Sequence, residues 1–151
     1  NGALLLNIGP KPDGTIPEPE QQMLREIGAW LQVNGAAIYG TRPWKIFGEG
    51  TTEVSEGSFT DTKRSDFTGE DIRFTTKGDA LYAIALAWPG RQMAVRSLGR
   101  AAGYWDGPVG AVRLLGHDGP LSWTQTDQAL VVDLPEQPPC AHAFVVEVRG
   151  G

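Results

Sequence analysis

The sequence lacks several features that mark particular classes of protein. It has one cysteine, Cys140, so an internal disulfide is excluded and the redox compartment cannot be inferred. No apolar run approaches the roughly 20 residues that span a bilayer. Basic residues are not in excess, since 13 Lys and Arg against 18 Asp and Glu give a formal net charge of −5. That balance provides no electrostatic footprint for nucleic acid.

Signatures of catalytic and cofactor sites are also missing. His117 and His142 are too isolated to predict a metal site, Cys140 adds no pair, and no glycine-rich phosphate loop of the right form is present. Cys140 with a distant histidine is a weak argument for a nucleophile, and a buried or unremarkable surface thiol is the commoner case. Carboxylates cluster at two places, Glu18 with Glu20 and Glu70 with Asp71, where a solvated helix start and a turn are the simpler interpretations. We therefore expect no metal, no cofactor and no catalytic residue in this chain.

The chain opens on an apolar run, Ala3 to Ile8, in which Leu4, Leu5 and Leu6 do not alternate with polar residues. A continuous run of this kind is typical of a parallel strand covered on both faces. Parallel neighbours require crossover connections, and nothing later in the chain supplies them. The sequence also begins without methionine, almost inside the strand. We therefore expect the chain to be the tail of a longer protein.

A loop rich in glycine and proline separates this strand from a predicted helix. The helix should begin near Pro17–Pro19, where proline suits a first turn, and Gly35 suits the position just after its end. One face of the helix is apolar and is predicted to cover a sheet. Its members are Met23, Leu24, Ile27, Trp30 and Leu31.

Several long motifs resemble one enzyme family. NGALLLNIGPKPDGTI at 1–16 and WLQVNGAAIYGTRPW at 30–44 are similar to the end of the catalytic domain in glycoside hydrolase family 29, the retaining α-L-fucosidases. Ala36 stands where that family usually has Glu, which affects a local polar contact. Further matches are FGEG at 47–50, FTGEDIRFTTKGDALYAIALAWP at 67–89 and LLG at 114–116.

The resemblance implies the last β/α unit of a (β/α)8-like barrel followed by a C-terminal β-sandwich. In that family the nucleophile is an Asp on a middle barrel strand, and the acid/base comes from a loop before the last strand. Both would precede Asn1, so this chain should lack the catalytic carboxylates and be inactive alone. The implied parent is an exo-α-L-fucosidase that releases terminal fucose from glycans with retention. The resemblance also favours an extracytoplasmic location, whether periplasmic, secreted or lysosomal.

Implied partners are the remainder of the catalytic domain, in the same protein or a second chain, and fucosylated glycans. Membranes and nucleic acid are not expected, and a homo-oligomer is left open. An exposed apolar strand and helix face would otherwise pack on the sandwich, self-associate or contact the missing part. Two alternatives remain for the sandwich itself, namely a carbohydrate-binding module or a purely structural buttress.

The rest of the chain predicts an antiparallel β-sandwich, because short strands alternate with Gly and Pro turns. We expect barrel elements at 1–44, a connecting loop at 45–70 and the sandwich at 71–151, with a sandwich start near residue 45 as the alternative. The strand at Leu81–Trp88 is apolar on both faces and should be central. The others are expected at 72–75, 93–96, 109–115, 121–125, 129–134 and 144–148.

Two residues are candidates for contact with a substrate. Asn7 follows the predicted last strand, at the end that faces the active site in barrel enzymes; a loop-holding hydrogen bond is the simpler role. Lys11 and Asp13 share its loop, where turn formation is the simpler role. Trp105 lies in the glycine-flanked loop GYWDG, where an exposed ring could stack on a sugar, although packing is the commoner role. Trp88 and Trp123 follow strand alternation and are expected in the core.

Overall fold

The computed structural model describes residues 4–53 and 65–151. One α-helix precedes an array of antiparallel strands. The helix, α1, runs over Glu18–Asn34 and has Pro17 before its first turn. In chain order the strands are β1 Arg42–Glu49, β2 Ile72–Lys77, β3 Ala80–Ala85, β4 Gln92–Val95, β5 Val109–Leu114, β6 Trp123–Gln125, β7 Leu130–Asp133 and β8 Phe144–Gly150.

The strands form two sheets, and every strand pairing within each sheet is antiparallel. The large sheet has the order β1-β2-β3-β8-β5, and the small sheet has the order β4-β7-β6. Strand β3 is buried along its whole length at the centre of the large sheet, as its two apolar faces predict. The hairpin between β6 and β7 pairs Gln125 with Leu130. The predicted antiparallel sandwich is confirmed.

Period-2 alternation divides the large sheet into two apolar faces. Alternate residues of β3 and β8, such as Leu81 and Val146, face the small sheet and form the main core. The intervening residues, such as Ile84 and Val145, form a second cluster on the opposite face. Trp30 of α1 packs against this second cluster. The molecule is therefore layered as helix, large sheet and small sheet.

The opening apolar segment differs from its prediction. Leu4–Ile8 lies in no ladder with any described residue, and Leu4 and Leu5 are 87% and 85% exposed. The physical reason is that a doubly covered strand needs neighbours on both edges, and no strand of the sandwich pairs with it. The apolar pattern of Leu4–Ile8 thus suits a covered strand, and the described residues do not provide that cover.

The region predicted as a loop at 45–70 begins with a strand. Strand β1 pairs with β2 along the edge of the large sheet, and its register shifts between Pro43 and Gly48. This arrangement favours the alternative sandwich start near residue 45. The stretch 54–64, within the same predicted loop, lies outside the described residues.

The helix also ends differently from its prediction. Gly35 is right-handed, with φ −57°, and begins a 3-10 turn over Gly35–Ala37. The left-handed position falls at Gly40, with φ +72°. Among the described residues no helix is both long and apolar enough to cross a membrane.

Candidate functional site

The loop that carries Asn7 is exposed and held mainly by its own contacts. Asp13 accepts hydrogen bonds from the backbone N–H and the hydroxyl of Thr15, at 3.0 and 2.7 Å. The hydroxyl and backbone hydrogen bonds from Thr15 lower the pKa of Asp13. The Gly9 N–H donates to Glu20 Oε2 at 2.8 Å, which ties the loop to the start of α1. Asn7 is exposed, and its side chain makes no hydrogen bond to another described residue.

Trp105 is half-buried against the main core. Its indole Nε1 is buried and has no hydrogen-bond partner among the described residues. Tyr104 beside it is 39% exposed and lies 6.1 Å from the Trp44 ring. This placement favours packing for Trp105, and contact with a sugar at Trp105 stays a prediction. No hydrogen bond between described residues joins Asn7 to Trp105.

Asp71 is the most deeply buried carboxylate of the described residues, at 1% exposure. It accepts hydrogen bonds from the backbone N–H and the hydroxyl of both Thr52 and Thr68, at 2.7–3.0 Å. Burial alone would raise the pKa of Asp71, but these four donors outweigh it and hold that pKa far below its ordinary value of 3.8. We name this group the Asp71 clasp, since one carboxylate joins Thr52 to Thr68.

Glu49 at the end of β1 connects the two sheets. Its carboxylate accepts from the backbone N–H groups of Arg96 and Ser97, both at 2.7 Å, and from the Ser97 hydroxyl. These N–H groups open the 3-10 turn Arg96–Leu98 that follows β4. The carboxylate therefore satisfies donors that the turn leaves free.

Glu147 lies at 3% exposure on the helix-facing side of β8. Arg113 donates to Glu147 Oε2 at 2.6 Å, and Arg149 Nε donates to Oε1 at 2.8 Å. Arg149 also binds both oxygens of Asp79. Burial would raise the pKa of Glu147, but the two arginines outweigh it and lower that pKa. The nearby Tyr82 phenol has a raised pKa because of burial first and the Glu147 charge second.

These carboxylates do not form a hydrolytic pair. A retaining glycosidase needs two carboxyl groups about 5 Å apart that are free to reach one sugar. Asp71, Glu49 and Glu147 each have both oxygens engaged by donors of the chain. Over residues 4–53 and 65–151 no three metal-ligating side chains come together either.

The surface that stands out for association is the first part of the apolar face of α1, before Trp30. Met23 and Ile27 are 40% and 39% exposed, although the helix pattern predicts them to be covered. Together with Trp30 and Ala143 they line an apolar groove of about 390 Å³. Trp30 Nε1 donates to Ala143 O at 2.7 Å, and His142 Nε2 lies 3.3 Å from Glu26 Oε2. The spacing of Met23, Ile27 and Trp30 puts all three on one face of the helix. That face is thus fixed to the sandwich at Trp30 and left exposed at Met23 and Ile27.

Sequence reasoning missed the roles of three of these residues. Asp71, interpreted as part of a solvated turn, is buried, whereas its neighbour Glu70 is exposed. Glu49 and Glu147 were not singled out. The one available signal for Glu147 was a charge alternating with valines in a strand otherwise buried on both faces.

Two family models match the chain, "Alpha-L-fucosidase" over residues 1–36 and "Alpha-L-fucosidase C-terminal domain" over residues 64–149. Similar relatives include the alpha-L-fucosidase of Branchiostoma floridae and the tissue alpha-L-fucosidase of Homo sapiens. Each is 34% identical over 99% of this chain, which covers only 29% and 28% of those proteins. The solved Thermotoga maritima alpha-fucosidase with a mechanism-based inhibitor is 28% identical, with a TM-score of 0.70. That match covers 98% of this chain and 30% of the Thermotoga chain.

Proposed function

This chain belongs to the α-L-fucosidase family as its C-terminal portion, and on that premise we propose that it serves an exo-α-L-fucosidase that hydrolyses terminal α-L-fucosides of glycans with retention. The chain spans less than a third of its curated relatives. Its own role in the proposal is to support the catalytic barrel. The reactive carboxylates belong to the rest of the protein.

The observation that carries this proposal is that the apolar face of α1 is only partly covered. At Trp30 this face is bound to the sandwich by the hydrogen bond to Ala143 O. In the preceding turns the same face presents Met23 and Ile27 to solvent. A contiguous apolar surface of this kind marks a site of contact with another protein element. A barrel that continues upstream of α1 would cover this exposed part of the helix face and the exposed leucines before it.

Partners follow from the same arrangement. The remainder of the catalytic domain would be the direct partner, and fucosylated glycans would be the substrates. Asn7, in the loop before α1, remains the candidate of this chain for a place near the substrate. Because the resemblance favours an extracytoplasmic location, we propose that setting as well.

The first experiment assays the pure chain on an aryl α-L-fucoside. We expect no turnover, because the carboxylates of Asp71, Glu49 and Glu147 are engaged by the chain's own donors and no other described pair is assigned a catalytic role. Turnover by the pure chain would overturn the assignment of the catalytic residues to the missing part.

The second experiment adds the upstream part of the parent protein by co-expression. We expect the pair to hydrolyse the aryl fucoside. Met23→Asp combined with Ile27→Asp should abolish this activity, because charges would face the apolar surface of the partner. Gln22→Asp, on the exposed surface of the same helix, is the control and should leave the activity unchanged. Equal loss in both variants would contradict the proposed docking face.

A further inference from the structure

A small hollow lies between β1 and β4, next to the Glu49 carboxylate that caps the 3-10 turn Arg96–Leu98. It measures about 210 Å³. Trp88 and Pro89 supply its apolar wall, and Glu70, Gln92 and Arg96 supply polar groups. The proposed hydrolysis makes no use of these residues.

The apolar wall is fixed in place. The Trp88 ring meets Phe144 edge to face at a centroid distance of 4.8 Å, so part of the indole belongs to the core. The rest is half-buried and faces the hollow. Gly69 lies so close to Pro89 that a Cβ on Gly69 would be 2.5 Å from Pro89 Cα. The wall is therefore built on tightly packed backbone.

The polar groups around this wall keep unused hydrogen-bonding capacity. Arg96 Nη2 lies 3.6 Å from Glu70 Oε2, which is an ion pair longer than a hydrogen bond. The guanidinium makes no hydrogen bond to another described residue, and its side chain is 66% exposed. Gln92 donates its amide N–H to Asp133 at 2.8 Å, which leaves its Oε1 as an acceptor.

The backbone of Arg96 is held, whereas its guanidinium makes no hydrogen bond to another described residue. Glu49 accepts from the backbone N–H of Arg96, so the backbone that presents the guanidinium is anchored to the large sheet. The charge of Glu49 is engaged in this cap, and Glu70 and Arg96 balance each other. An uncharged ligand with several hydroxyl groups fits these donors and acceptors better than an anion would.

We propose that this hollow binds one neutral sugar ring. An indole next to a few placed donors and acceptors suits a ring with apolar C–H groups and polar hydroxyls. Trp88 would contact the ring, Arg96 would donate to hydroxyl oxygens, and Gln92 and Glu70 would accept from hydroxyl groups. The inference does not rest on hydrolysis, since it concerns binding alone.

The test is a sugar titration followed by ¹⁹F NMR. The chain has five tryptophans, and all of them are labelled as 5-fluorotryptophan. The probes are methyl α-L-fucopyranoside and methyl β-D-galactopyranoside, with N-acetylneuraminic acid as an anionic comparison. The Trp88 signal is assigned with Trp88→Phe. We expect that signal to shift and saturate with a neutral probe, with a dissociation constant of about 1–10 mM, and to respond less to the acid.

Arg96→Ala removes the free guanidinium without touching the capped backbone N–H. We expect it to raise the dissociation constant at least about fivefold and to leave the urea midpoint unchanged. Arg91→Ala is the control, because Arg91 is also exposed and pairs loosely with Glu136 at 3.8 Å. It should leave binding unchanged.

Three results would overturn the inference: no saturable shift with either neutral probe, a shift at Trp105 alone, or equal weakening by Arg91→Ala and Arg96→Ala. Hydrolysis of the aryl fucoside by the reconstituted pair is measured separately. Failure of the sugar site and failure of the proposed function are thus distinguishable.

Discussion

At the scale of single residues, Asp71 shows how one carboxylate can join two distant points of the chain. Thr52 and Thr68 together supply four donors to it, and Gly50 lies against it so closely that a Cβ would be 2.2 Å from Asp71 Oδ1. A buried charge is tolerated only when it is paired in this way. The clasp therefore fixes the exit of β1 against the entry of β2.

Replacing this carboxylate by an amide should destabilise the fold. In Asp71→Asn one oxygen becomes an NH₂ group, so a donor faces a donor at Thr52 or Thr68. We expect the free energy of unfolding to fall by about 2–4 kcal/mol, measured by urea denaturation. Asp106→Asn is the control, since the Asp106 side chain is 93% exposed, and it should change stability by less than about 0.5 kcal/mol. Equal effects of the two variants would contradict the clasp.

The clasp also predicts a pH dependence. The pKa of Asp71 is lower in the folded state than its ordinary value of 3.8, so its contribution is complete above that value. As the pH falls below 3.8 the unfolded state binds the proton first, and the contribution is progressively lost. Urea midpoints of the wild type and Asp71→Asn should therefore converge between pH 4 and pH 2. A difference between the two urea midpoints that stays constant across that range would contradict a lowered pKa of Asp71 in the folded state.

At the scale of elements, α1 depends on the sandwich for its order. Isolated helices of about this length are marginal in water. Trp30 provides both apolar contact and the hydrogen bond to Ala143 O. Trp30→Ala should therefore increase hydrogen exchange across Glu18–Asn34 by at least about tenfold while the strands stay protected. Gln22→Ala, at an exposed position of the same helix, should leave exchange nearly unchanged. Protection that survives in Trp30→Ala would show that the helix does not depend on this contact.

The strands show what pattern alone can predict. Strand β3 was predictable because its two apolar faces require burial on both sides, and the turn at Lys77–Asp79 marks its start. Strand β1 was missed because RPWKIFGE has proline as its second residue, carries charges and pairs along one edge only. An edge strand pairs with only one neighbouring strand, so its alternation of apolar and polar residues is weak.

The candidate site was less predictable than the fold, because partners far apart in sequence decide what a polar residue does. Asp71 and Glu70 are adjacent in the sequence, yet one is buried by Thr52 while the other faces solvent. The sequence pattern gives residue types and spacing but not which carboxylate the distant donors will reach. The same limit applies to Trp88. The sequence predicts that Trp88 lies in the core, but not that it lines a hollow together with Arg96 and Gln92.

At the scale of the whole molecule, buried and exposed apolar surfaces are separated. The sandwich buries its core between two sheets, whereas the exposed leucines and the exposed part of the apolar face of α1 lie before it in the chain. Family membership gives this separation a reason, since residues 1–36 match the α-L-fucosidase model and 64–149 match its C-terminal domain. The core of the sandwich is buried, whereas the preceding segment leaves Leu4, Leu5, Met23 and Ile27 exposed.

The isolated chain should therefore self-associate through its opening segment. Leu4 and Leu5 do not pack on the sandwich, and an apolar segment without a strand partner invites pairing between copies. By light scattering after size exclusion, we expect an apparent mass that rises above 16.2 kDa with concentration. Leu4→Ser with Leu5→Ser should lower the apparent mass, and so should binding of the upstream catalytic part. Phe47→Ser, which removes an apolar group 79% exposed on the sandwich, is the control and should leave association unchanged. A monomer at every concentration, or an equal effect of Phe47→Ser, would contradict the prediction that the opening segment is an uncovered contact surface.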